Sequence, residues 1–179
     1  MSILLEKIQE LRQREEKIRA MGGPKAIQKQ HESNKLTARE RLELFFDKDT
    51  FRELDMFVQH RCTHFDMPKT EIPGDGVIIG YGTVDGRPVF AFAQDFTARA
   101  GTLGEMHSKK ICKVMELALK AGTPLVGFND SGGRGFRKGS MPCSATGRSF
   151  SAIQLHPGSY LRSRQLWGLQ PEGLCIHRR

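Results

Sequence analysis

Apolar residues at 4, 8, 11 and 18 recur at helical spacing with Glu and Arg between them, which predicts an amphipathic helix over residues 3–20. Gly22-Gly23-Pro24 ends that pattern, and Pro24 suits the first turn of a second helix over about 24–33. Thr37 followed by Glu40 has capping-box spacing, so a third helix begins there and buries Leu42, Phe45 and Phe46. These helices form a polar arm over residues 1–48, which either packs on another subunit or domain or lies solvated.

The period changes after Phe51. Two β-rich runs, Val77–Val84 and Pro88–Ala93, flank Asp85-Gly86, a strong hairpin signal. Thr102 and Glu105 have capping-box spacing again. The helix predicted behind them, over 103–121, places Ile111, Val114, Met115 and Ala118 on one face. Gly122 and Pro124 stop it, and Leu125–Phe128 reads as a short buried strand running into Asn129-Asp130-Ser131-Gly132-Gly133. Hairpin, helix, strand and glycine turn together imply an α/β layered fold, with ligands expected at the turn beyond the strand.

Charge divides the chain at that turn. The sequence has 28 Lys and Arg against 20 Asp and Glu, a net charge of +8. Residues 134–179 hold eight bases and one acid, Glu172, so nearly all of the excess lies there. A basic chain ordinarily suggests nucleic acid or an acidic membrane surface. Charge confined to one segment of altered character weakens that inference. The four Cys at 62, 112, 143 and 175 show no paired spacing, which fits a reduced, cytoplasmic protein. No run approaches the roughly 18 apolar residues of a membrane span.

Three constellations could carry chemistry. Asp130-Ser131-Gly132-Gly133 resembles the surroundings of a serine nucleophile, but nothing marks a partner His and Asp. It is either a tight turn or a place where backbone N–H groups approach a ligand oxygen. His60, Cys62 and His64 would share a face of an extended strand, yet no second ligand cluster exists, and a structural role without metal is preferred. The stretch from Asp95 to Glu105 opens a helix and carries glycines, with Arg99, Lys109 and Lys110 nearby. It is either an ordinary loop or an anion site.

Five motifs in order identify a family: Lys35-Leu36-Thr37-Ala38-Arg39-Glu40-Arg41, Pro73-Gly74-Asp75-Gly76-Val77, Gln94-Asp95-Phe96-Thr97, Gly101-Thr102-Leu103-Gly104-Glu105 and Asn129-Asp130-Ser131-Gly132-Gly133. The series closely resembles the start of the carboxyltransferase (beta) subunit of biotin-dependent acyl-CoA carboxylases, of the propionyl-CoA carboxylase and methylmalonyl-CoA decarboxylase types. The resemblance covers about residues 1–133. It implies an incomplete crotonase-like domain over 49–133 behind the helical arm. It also implies carboxyl transfer between carboxybiotin and an acyl-CoA, with backbone N–H groups stabilising the enolate. Biotin would be carried by a partner domain or protein, and biotin carboxyl carrier and biotin carboxylase subunits, acyl-CoA and further copies of the chain would be partners. Arg99, Gly101, Gly104, Lys110, Ser131, Gly132 and Gly133 are the acyl-CoA-binding candidates, with no metal implied.

Past Gly133 the family text S-G-G-A-R-I-Q-E-G-V does not continue. Family-like codons read one base late nevertheless return Ala145–Ala152, Ile153–Ser163 and Leu174–Arg179. Residues 134–179 are therefore expected to be an out-of-frame, disordered tail, and the chain to have little or no activity, since the family's oxyanion segment and biotin-facing domain are missing. The alternatives are the decarboxylase alpha subunit of a sodium-pumping complex, and a non-catalytic protein binding nucleic acid through the basic tail.

Overall fold

The computed structural model describes residues 3–63 and 66–132, together with the backbone of Leu174–Cys175. Its centre is the hairpin of β2 (Val77–Val84) and β3 (Arg87–Gln94). Asp85 and Gly86 both take left-handed φ, 51° and 75°, so the two-residue turn follows the right-handed twist of its strands. β1 (Arg52–Leu54) pairs antiparallel with β2. β4 (Leu125–Phe128) runs parallel to β3, Phe90 opposite Leu125 and Ala93 opposite Phe128. A parallel pair needs a crossover, and α4 (Glu105–Ala121) supplies it. β5 (Leu174–Cys175), inside the segment expected to be disordered, pairs antiparallel with Gly127 and Phe128. The sheet order is β1-β2-β3-β4-β5.

Both faces of this sheet are covered, which is why β2 and β3 read as nearly unbroken apolar runs. Val77, Ile79 and Phe92 pack with Ile111, Val114 and Met115 of α4. Ile78, Val89, Ala91 and Ala93 join the opposite core with Ala38, Leu42 and Phe46. The period-2 alternation thus separates two helix layers. At Gly127 a Cβ would lie 2.4 Å from the Phe92 ring, so the close seating of that ring depends on glycine.

α1 (Ile3–Arg19), α2 (Pro24–Glu32) and α3 (Ala38–Phe45) precede the sheet. The capping box holds: Glu40 N donates to Thr37 Oγ1 at 3.3 Å, and Thr37 N donates to Glu40 Oε2 at 2.7 Å. α3 lies directly on the sheet, with Leu42 and Phe46 in the core and Phe45 packed against it. Among the described residues, α1 is anchored towards its end, where Ile18 and Met21 are buried and Lys17 pairs with Glu71. Beyond it Gly22 N donates to Thr97 Oγ1 at 3.2 Å.

The second capping box does not form. α4 begins two residues later than the pattern suggested, with Gly104 at the cap position and no side-chain cap. Thr102 Oγ1 instead donates to the Arg99 carbonyl at 3.1 Å. The loop before it is wound through left-handed φ at Arg99, Ala100 and Gly101, which turns Thr102 away from the helix start. The orphan donors of the first turn are met from elsewhere: His107 N donates to Asp75 Oδ2 at 2.7 Å.

Candidate functional site

Because β3 and β4 are parallel, their carboxyl ends lie on one edge of the sheet, where α/β folds place ligands. Two loops leave that edge side by side, 95–104 after β3 and 129–132 after β4. Gly132 N donates to the Ala100 carbonyl at 2.7 Å. Gly101, at φ 57°, sits so close that a Cβ there would lie 2.3 Å from the Asp130 carbonyl oxygen. Both its conformation and this contact require glycine. The structure therefore brings together Gly101, Ser131 and Gly132, and Gly133 lies outside the described residues.

Each loop is tied down by a carboxylate. Asp130 Oδ2 accepts from Arg41 Nη2 at 2.5 Å and from Gln30 Nε2 at 3.1 Å, locking the turn to α3 and α2. The Arg41 and Asp130 side chains are only 8% and 12% exposed. A pair this buried fixes geometry more than it adds stability, since desolvation opposes the attraction. Asp95 Oδ1 accepts from Thr97 N at 2.8 Å and Thr97 Oγ1 at 2.5 Å, while Asp95 N donates to the Gly76 carbonyl at 3.0 Å.

Beneath the 95–104 loop lies a buried polar cluster that the sequence did not single out: Asp75, Gln94 and His107. His107 Nδ1 lies 2.9 Å from the Asp75 carbonyl oxygen, so Nδ1 carries the hydrogen. Nε2 then accepts from the Gln94 amide at 3.1 Å. A neutral imidazole so held pins the start of α4 to the Pro73–Gly76 turn. Lys110 belongs to the same cluster, which corrects its reading as a cation offered to a ligand. It is 2% exposed, and Nζ donates to the carbonyls of Gly74 at 2.9 Å and Val77 at 2.5 Å. Burial pushes its pKa down to about 8, against the raising influence of Glu53, Asp55 and Asp75. The helical period carried the signal, since 107, 110, 111, 114 and 118 form one stripe.

Of the three cations singled out near this loop, Arg99 and Lys109 are exposed, Arg99 with Nη2 3.5 Å from Thr70 Oγ1. Lys109 is paired with Glu105 at 2.7 Å, and Arg61 pairs with the same carboxylate. Hydrogen bonds from Lys109 and then Arg61 hold the Glu105 carboxyl below its ordinary range. Gly104 is buried at the α4 cap. His60 Nε2 lies 2.7 Å from the Thr70 carbonyl oxygen, and His64 lies outside the described residues. The described residues contain no group of three or more His, Cys, Asp or Glu able to hold a metal. The N–H groups of Gly101, Thr102 and Gly132 all donate to the 98–100 carbonyls, so the two loops bond to each other and make a rigid wall.

A family profile described as the carboxyl transferase domain matches residues 29–160, running past Gly133. The chain is 52% identical over 158 residues to the methylmalonyl-CoA decarboxylase subunit alpha of Propionigenium modestum, covering 88% of this chain and 31% of that protein. It is 50% identical over 132 residues to the propionyl-CoA carboxylase beta chain of Cereibacter sphaeroides, covering 74% and 26%. A solved structure of transcarboxylase 12S, a hexamer assembly with methylmalonyl-coenzyme A bound, superimposes with a TM-score of 0.81 at 42% identity, over 85% of this chain and 29% of that one. The chain thus spans about a third of the length of the relatives it matches. On the match to its residues 29–160 and the likeness of its fold, the chain belongs to the carboxyl transferase family, with the α/β architecture of crotonase-like carboxyltransferases.

Proposed function

We propose that the chain is part of an acyl-CoA carboxyltransferase acting on propionyl-CoA or methylmalonyl-CoA, and that the paired glycine loops form one wall of the acyl-CoA site. The observation that carries this is the contact of Gly101 and Gly132 with the neighbouring loop at the carboxyl edge of β3 and β4. Carboxybiotin, carried by a partner, supplies the carboxyl group. Transfer to the acyl α-carbon requires loss of a proton and an enolate on the thioester oxygen, which oriented donors stabilise. Arg41, Gln30 and Asp95 hold the wall in place, so its backbone does not reorganise as charge develops. Arg99, exposed at the rim, pairs with a phosphate of coenzyme A. Biotin carboxylase, a biotin carboxyl carrier and further copies of the chain complete the assembly.

Calorimetric titration of the 179-residue chain with propionyl-CoA tests the site. Arg99→Ala is expected to weaken binding about tenfold, a typical loss for a charged contact. Equal affinity in the variant removes Arg99 from the site, and no binding by the parent chain removes the site from this polypeptide. The identity to a decarboxylase alpha subunit favours a second reading, in which the same wall serves decarboxylation within a sodium-pumping complex. Sodium-dependent release of CO2 from methylmalonyl-CoA, with no dependence on ATP, distinguishes it.

The text after Gly133 supports a break in reading frame. One choice of synonymous codons for the family text A-R-I-Q-E-G-V is GCG CGG ATT CAG GAA GGG GTC. Read one base late they give R-G-F-R-K-G-S, which is Arg134–Ser140. Together with the later stretches, this supports a shift at the Gly133–Arg134 junction. The family match running to residue 160 is what an in-frame, divergent segment predicts instead. Sequencing the encoding DNA decides between them: an alternate frame without family text rules out the shift.

A further inference from the structure

The two loops of the wall leave different strands, yet one helix of the arm is tied to both. α2 begins directly after Gly22 and Gly23 and carries Gln30 near its end. At its start Gly22 N donates to Thr97 Oγ1 at 3.2 Å, and a Cβ on Gly22 would overlap the Thr97 carbonyl. The two backbones meet there as closely as only glycine allows. The Thr97 hydroxyl carries the contact inward, donating to Asp95 Oδ1 at 2.5 Å. Asp95 is 1% exposed, so this end of the helix rests on a buried anchor.

At the other end buried Gln30 donates from Nε2 to Asp130 Oδ2 at 3.1 Å. Asp130 stands two residues before Gly132, whose N–H closes onto the Ala100 carbonyl of the first loop. The contacts form a ring that runs from the Thr97 loop through Gly22, α2, Gln30 and the Asp130 turn, and returns through Gly132. α2 has nine residues, which makes it a rod about 13 Å long. Loops held by few contacts open independently and at low free-energy cost. A rod fixed to both removes that freedom.

We propose that α2 is a splint that sets the spacing of the two loops, with Thr97 and Gln30 as the positioning residues at its ends. Thr97 and Gln30 share no hydrogen bond, so each acts on the other only through the helix between them. Resting on the acyl-CoA reading of the wall, this makes the arm the element that tunes how tightly acyl-CoA is held.

Amide hydrogen exchange, followed by NMR in the 179-residue chain, tests the splint through a double-mutant cycle. Thr97→Val keeps the shape and removes the hydroxyl. Gln30→Met keeps the length and removes the amide, while Arg41 still pairs with Asp130. Each is expected to speed exchange at the Gly132 N–H about tenfold, the scale of one lost hydrogen bond, with the β2 and β3 amides unchanged. Because either change releases the splint, the double variant is expected to match the single ones. Thr97→Ser, which keeps the hydroxyl, is expected to exchange like the parent. Effects that multiply in the double variant overturn the proposal, since independent contacts give that result. So does acceleration shared equally by the sheet amides, which assigns both residues to overall stability, or a Gly132 amide already unprotected in the parent. Calorimetric titration with propionyl-CoA then separates the two readings. The loosened variants are expected to bind about tenfold more weakly than the parent. Faster exchange with unchanged affinity overturns the role of the splint in binding. No binding by the parent overturns the acyl-CoA reading, and the exchange cycle alone decides the splint.

Discussion

At the scale of single residues, Lys110 shows how side-chain type and environment can part company. A lysine near a glycine loop suggests a ligand cation, but here the chain spends the charge on two of its own carbonyls. A neutral amine still has two N–H groups for Gly74 and Val77, so deprotonation keeps both contacts and removes the cost of a buried charge. The folded pKa of about 8 lies below the unfolded value near 10.5. Between those values the unfolded chain holds more protons, so stability rises with pH across that window and the penalty is fully present below pH 8. The whole shift corresponds to about 3 kcal/mol. In urea titrations the chain is expected to gain about 2 kcal/mol between pH 8 and 9.5 relative to Lys110→Met. That variant loses the two Nζ contacts to Gly74 and Val77 at every pH, so its own stability has no step in this window. Parallel pH dependences in the two proteins would show that Lys110 is not the titrating group. The type of residue misled, while the helical period that buries position 110 was legible all along.

At the scale of elements, local signals were readable and distant ones were not. Thr37 and Glu40 stand three apart and cap α3 as their spacing implies. Asp85-Gly86 makes the hairpin, and Gly122 ends α4 in a left-handed conformation. The start of α4 failed for a physical reason. Its cap comes from Asp75, 32 residues earlier, held in a run of left-handed residues from Gly74 to Gly76. Sequence spacing carries no trace of a cap delivered through space. Asp75→Ala is therefore expected to cost about 1–2 kcal/mol or more, the usual value of a lost helix cap. Thr102→Ala, which removes the hydroxyl bond to the Arg99 carbonyl, is expected to cost less. Urea midpoints of the two variants compare them directly. A larger loss from Thr102→Ala would restore the local capping box and remove Asp75 from that role. The apolar stripe of α1 was legible as a stripe, but only its buried end at Ile18 could be assigned a partner once the fold was known.

At the scale of the molecule, folding and function draw on different stretches of chain. Among the described residues, both apolar cores are built from positions up to Phe128, so the body is expected to fold on the text before Gly133. The described part of the candidate wall reaches that turn, where Gly132 N donates to the Ala100 carbonyl. Catalysis, by contrast, needs donors aimed at a developing oxyanion, and the N–H groups of Gly101, Thr102 and Gly132 are committed within the wall. The 179-residue chain is thus expected to unfold cooperatively in urea, with near-ultraviolet dichroism of packed aromatic rings, and yet to move no carboxyl group from carboxybiotin to propionyl-CoA. Restoring one base at the Gly133–Arg134 junction is expected to produce a longer chain in which that transfer appears, while Arg41→Ala in the longer chain lowers it by loosening the Asp130 turn. The two halves of this prediction fail separately. Activity in the 179-residue chain would show that the sequence after Gly133 supplies working donors. A chain without cooperative unfolding would show that the cores before Phe128 do not suffice.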